Sequence, residues 1–225
     1  MSRTAKRIPI GLLIVAAVFL LRGGDSKADF VFGTPENLGP TVNSAFLEGV
    51  FCVSPDGLEL YFPSDRPGGS GSYDLWVTRR TTVHGEWGAP VNLGSVVNSS
   101  YGDAAPSMSP DGLELFFGSD RPGGSGGWDL WVSKRTSVSE PWQHPTNVGP
   151  IVNSPADEMF PCISSDGLSL YFSDWFALRS ARRSGGYGQD DLWITRRATI
   201  SEPWNAPLNL GPRINTSLGE ACPSV

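Results

Sequence analysis

Histidine and cysteine are scarce in this 225-residue chain, with His84 and His144 the only two of the first and Cys52, Cys162 and Cys222 the only three of the second. The two histidines have no cysteine at ligand spacing, which excludes the common zinc motifs. An odd number of cysteines allows at most one internal disulfide, and Cys52 and Cys162 fall inside strand-like runs, where they read as buried small hydrophobes. Long apolar runs are missing as well. The longest, Ile8 to Leu21, has fourteen residues and includes Pro9, against the roughly 20 that a bilayer-spanning helix needs. Positive charge is short beyond residue 28, with 12 Lys+Arg against 22 Asp+Glu and a net charge of −10. Such a surface repels phosphate backbones and anionic headgroups, so nucleic acid and membrane surfaces are poor partners. No catalytic constellation, metal site or cofactor motif stands out, and none is expected.

What the N-terminus does contain is an export pattern. Arg3, Lys6 and Arg7 precede the apolar run, and Ser26 and Ala28 place small residues three and one positions before Asp29. Residues 1–28 therefore read as a signal peptide and 29–225 as the mature domain, periplasmic or extracellular, without a membrane span after cleavage. An uncleaved anchor is the competing reading, and the shortness of the run weighs against it.

The dominant fact is repetition. SPDG begins at Ser54 and Ser109 and SSDG at Ser164, two equal intervals that set the period of the chain. DLW begins at Asp74, Asp129 and Asp191; Asn-Leu-Gly or Asn-Val-Gly begins at Asn37, Asn92, Asn147 and Asn209; Trp87, Trp142 and Trp204 each precede the Asn by five residues. The last interval is longer by seven, which reads as an eight-residue insertion between Asp174 and Asp191 offset by one residue missing after Gly167. Each unit carries β signals only. Pro-Asp-Gly closes a hairpin, the LELYF-type and DLWVTRR-type runs make strands, and the proline at 90, 145 and 207 suits an edge strand. Four short strands per unit predict an all-β fold, a β-propeller of four-stranded antiparallel blades. Three blades are complete. Residues 29–37 and 209–225 look like parts of further blades, so the sequence reads as C-terminally truncated, with closure expected at four to six blades.

SPDG followed by LELYF, then SDRPGGSGSYDLWV and W-x-x-P-x-NLG, resembles the TolB-like β-propeller family with WD-like repeats of bacterial envelope proteins, over nearly all of residues 30–225. The resemblance implies an exported scaffold that binds other molecules. Its departures are the third unit, where Trp175 and Phe176 take the place of Arg-Pro, and the unfinished end. In the Asp-box of sialidase-type propellers a residue separates Asp from Gly, whereas Asp56 and Gly57 are adjacent, so sialidase chemistry is not carried over.

Recurring residues point first to blade construction. Asp65, Asp120, Asp74 and Asp129 flank a Gly-rich loop and either tie it by side-chain to backbone hydrogen bonds or chelate calcium. Arg66 and Arg121 are expected to pair with nearby carboxylates. Asn43, Asn98, Asn153 and Asn215, each followed five residues later by an acid (Glu48, Asp103, Glu158, Glu220), form either a polar ligand ring at the channel mouth or a repeated turn brace. What breaks the symmetry is the cluster Trp175, Phe176, Arg179, Arg182, Arg183 and Tyr187, residue types favoured at interface hot spots. The expectation is a non-enzymatic envelope module that binds protein or glycan through this loop. The alternatives are a carbohydrate-active enzyme using Glu48, Asp103 and Glu158, or a fragment without a function of its own.

Overall fold

The computed structural model describes residues 34–175 and 182–225. The expected signal peptide, Phe32, Phe176 and Arg179 lie outside the described residues. Those described form no helix and twelve strands. Blade 1 holds β1 (Cys52–Val53), β2 (Glu59–Ser64), β3 (Asp74–Arg79) and β4 (Val91–Asn92). Blade 2 holds β5 (Asp103–Met108), β6 (Glu114–Ser119), β7 (Asp129–Lys134) and β8 (Thr146–Asn147). Blade 3 holds β9 (Asp157–Ile163), β10 (Ser169–Trp175), β11 (Asp191–Arg196) and β12 (Leu208–Asn209). Each blade is an antiparallel meander in chain order, so the fold is the propeller-blade arrangement that the repeats predict. The fourth strands span two residues each and start just after their prolines, as an edge that cannot donate at proline requires.

The blades stack because side chains alternate across each strand and both faces are apolar. Tyr61, Leu75 and Val77 of blade 1 meet Val97, Leu115, Phe117, Trp131 and Trp142 of blade 2 in one cluster. Phe116, Leu130 and Val132 leave the other face of blade 2 and meet Val152, Leu170, Phe172 and Trp193 of blade 3 in the next. Both of these cores belong to junctions between sheets, while a smaller cluster of Val42, Leu60, Phe62 and Trp76 covers the other face of blade 1. Charge reinforces both junctions. Arg135 of blade 2 lies 3.7 Å from Glu59 of blade 1, and Arg197 of blade 3 lies 2.6 Å from Glu114 of blade 2. Each of these arginines also packs over the tryptophan that precedes its own blade's fourth strand, Trp142 or Trp204.

Two glycine positions explain themselves. In the Ser-x-Asp-Gly turns, Gly57, Gly112 and Gly167 all adopt positive φ in the left-handed region, where a side chain is strained. The serine and aspartate brace the same turn, with Ser54 donating to Asp56 and accepting from the Glu59 amide. Gly126, in the loop between β6 and β7, passes directly beneath the lead-in to blade 3, so an added Cβ would collide with the Ala156 and Ser154 carbonyl oxygens. Gly71 and Gly188 stand in the same relation to the Tyr101 and Leu218 carbonyls. Backbone cannot step aside as a side chain can, so Gly126→Ala is expected to cost about 1–3 kcal/mol in urea denaturation.

The inner strands β5 and β9 carry bulges at Ala105 and Phe160, both of which adopt positive φ. All three cysteines are free thiols. Cys52, Ser107 and Cys162 occupy one repeated position, and the Ser107 hydroxyl accepts the Ile163 amide of the next blade at 3.1 Å. Cys52 and Cys162 accept the equivalent amides of Met108 and Val225, while burial pushes both thiols up.

Candidate functional site

At one end of every blade, the lead-in to the first strand meets the loop between the second and third. The asparagines there are braces. Asn98 Oδ1 accepts the Leu75 amide at 2.8 Å while its Nδ2 donates to the Leu75 carbonyl and to Asn92 Oδ1. Asn153 repeats this on Leu130 and Asn147, and Asn215 on Leu192 and Asn209. Among the described residues, the Asn43 side chain donates to Asn37 Oδ1. Asn98, Asn153 and Asn215 each sew their lead-in to the third strand of the blade before it.

The acids are spent in a similar way. Glu48 pairs with Arg66 at 2.8 Å, Asp103 with Arg121, and Glu158 with Arg183 at 2.8 Å. Each arginine also donates to a lead-in carbonyl, of Val42, Val97 or Val152, and lies over a phenylalanine and a tryptophan of its own blade. Burial raises the Glu48 carboxyl, but Ser44 and Arg66 outweigh it and hold the group below its ordinary value. Glu220 is held low by Thr216. In the Gly-rich loops, Asp74 accepts the Ser70 and Gly71 amides and Asp129 those of Ser125 and Gly126. Asp65 and Asp120 accept the Leu47 and Gly102 amides. Among the described residues no cluster of three potential metal ligands forms.

The third blade departs from the sequence reading. Asp174 pairs with Asp191 across the sheet, just as Ser64 pairs with Asp74 and Ser119 with Asp129. Asp174 therefore replaces a serine, Trp175 replaces Asp65 and Asp120, and nothing is missing after Gly167. The insertion comprises seven residues, 176–182, and the blade arginine is Arg183, whose contacts match those of Arg66 and Arg121. Trp175 and Phe176 do not stand in for Arg-Pro, and Arg183 is not part of the unrepeated cluster. The doublet Ser173-Asp174 mimics Ser64-Asp65, and only strand pairing reveals the offset.

Of the unrepeated residues, Trp175 is 38% exposed and packs on Phe160 at 5.7 Å between ring centroids. Tyr187 is 54% exposed, with its amide held by Asp191. Arg182 is exposed and has a partner of its own. Asp174, which sequence reasoning passed over, is 6% exposed beside Arg183 and Glu158, which is fully buried. The serine-to-aspartate change at a strand end was the available signal. At the other end of the blades, Val53, Pro55, Met108, Pro110 and Ile163 line an open depression that holds no acidic or basic side chain.

No protein-family profile and no curated protein matches the chain. Among solved structures it is similar to TolB from Acinetobacter baumannii, at 14% identity and a TM-score of 0.47, over 74% of this chain and 33% of that one. It is also similar to a protein described as TolB from Agrobacterium tumefaciens, at 16% identity and a TM-score of 0.49, over 83% of this chain and 57% of the other. The catalytic domain of a GH62 α-L-arabinofuranosidase from Coprinopsis cinerea follows, at 13% identity and a TM-score of 0.48, over 76% and 52%. The chain spans less than two thirds of each of these structures.

Proposed function

We propose that this chain is an exported, non-enzymatic binding module, which takes a protein or glycan ligand at the blade end carrying Trp175 and Tyr187. One observation carries the reading. The recurring polar side chains of that end are consumed by bonds within and between blades, while the aromatics that break the repeat are half exposed. Asp103 and Glu158, acids that a glycan-cleaving reading would need, are fully buried against their arginines. No helix among the described residues is long and apolar enough to cross a membrane.

The test is a Trp175→Ala, Tyr187→Ala double variant compared with wild type, both immobilised and exposed to an envelope extract and to a glycan array. A ligand bound by wild type is expected to weaken by about tenfold or more, since buried aromatic anchors carry a large share of binding energy. Unchanged affinities and identical ligand lists would remove this end of the blades from the account.

A further inference from the structure

Glu48 in blade 1 faces Ser64 across the sheet, and Asp103 in blade 2 faces Ser119. The serine is a neutral mediator. Ser64 Oγ donates to Glu48 at 3.3 Å and accepts from Arg66 Nε at 3.1 Å, and Ser119 Oγ accepts from Arg121 Nε at 3.0 Å. In blade 3 the residue facing Glu158 is Asp174. Two acids stand directly opposite each other on paired strands, an arrangement that disfavours double ionisation even at a surface, and here they are 0% and 6% exposed.

One guanidinium serves both. Arg183 Nη1 donates to Glu158 and to the Val152 carbonyl, each at 2.8 Å, and Asp174 acts on the same cation through space. Among the described residues, the other charged groups that act on the pair are acids. Asp191 on β11 donates its amide to Asp174 at 2.6 Å, and Asp129 reaches Glu158 electrostatically from β7 of blade 2. Asp157, next along β9, spends its Oδ1 on the Gly127 and Trp128 amides. Among the described residues, two buried carboxylates thus face one cation with further acids around them, an excess of negative charge that favours keeping a proton.

We propose that Glu158 and Asp174 form a proton-binding site, holding at neutral pH one proton that is taken from and returned to solvent and has no counterpart in blades 1 and 2. Burial raises both carboxyls, with Glu158 reaching about 7 against the pull of Ser154 and Arg183, and two facing acids that share one cation are expected to titrate as a unit. The site lies at the root of the insertion, since Trp175 and Arg183 bracket residues 176–182. Gain or loss of the proton therefore changes the charge where the binding end of blade 3 is anchored.

Carboxyl-carbon NMR of protein labelled at Asp and Glu side chains, titrated from about pH 5 to about pH 8.5, tests this directly. Wild type is expected to release one proton with an apparent midpoint close to 7. Asp174→Ser, which restores the residue of the other blades, should lower the Glu158 midpoint by about one pH unit or more. Ser119→Asp should create a second such titration in blade 2. Because the folded pair holds its proton above the ordinary Glu value of 4.5, its stabilising effect is complete below that pH and declines as pH rises through about 7. Melting temperature should follow that decline in wild type and lose it in Asp174→Ser. Both carboxyls ionised in wild type at about pH 5.5, or an Asp174→Ser variant that titrates like wild type, would overturn the proposal. The wild-type spectrum decides it even if a variant fails to fold.

Discussion

Arg197→Ala is expected to destabilise the chain by about 3–5 kcal/mol, a large part of the roughly 5–15 kcal/mol that holds a domain folded. The Arg197 side chain is 3% exposed and the Glu114 side chain 5%. The guanidinium donates to both Glu114 oxygens, to the Gly167 carbonyl and to the Ile200 carbonyl, and it packs 4.4 Å over Trp204. Truncation leaves Glu114 with Lys134, whose side chain is 54% exposed, and strands two carbonyls. Urea denaturation should show a lower midpoint, and Glu114→Gln in the same background should recover part of the loss, because the orphaned charge is gone. The equivalent change at Arg135 should cost less, since its contact with Glu59 is longer, at 3.7 Å. Equal losses at the two sites would mean that packing on Trp142 and Trp204, and not the cross-blade carboxylate, sets the cost.

Phe117→Ala is the second large effect, at about 3–5 kcal/mol by the usual cost of emptying a buried phenylalanine site. Phe117 is fully buried in the junction between blades 1 and 2, beside Leu115, Trp131 and Met108. Blade 1 supplies Tyr61, Leu75 and Val77 to the same cluster. Its ring also underlies Arg121 at 5.3 Å, so the Asp103 ion pair loses support along with the core. Thermal unfolding followed by tryptophan fluorescence is the direct measure. A loss below about 1 kcal/mol would mean that the junction collapses around the gap, or that it is not the core of the fold.

The blades were legible in the sequence because every signal that makes one is local: Ser-x-Asp-Gly turns, apolar alternation, and proline ahead of each edge strand. The brace role of Asn98, Asn153 and Asn215 was among the readings for a related reason, since a residue needed once per sheet must recur once per sheet. The contacts of Arg197 with Glu114 were not legible. They join residues 83 apart, and nothing in the pattern says which charges face across a junction. The true start of the insertion was hidden by an accident of spelling. Ser173-Asp174 looks like Ser64-Asp65, although RSGGYGQDDLW from Arg183 already matches RPGGSGSYDLW from Arg66. Hydrogen-bond register distinguishes the two alignments where letters do not.

Blade 2 presents to blade 3 the same kinds of residue that blade 1 presents to it, and receives blade 1 with the same kinds that blade 3 uses to receive it. It is in effect a tile whose back fits its own front. Tandem duplication of such a unit creates no contact that the molecule does not already contain, so arrays can lengthen by whole repeats without a new interface having to be invented, whereas removing half a sheet spoils the fit on both sides at once.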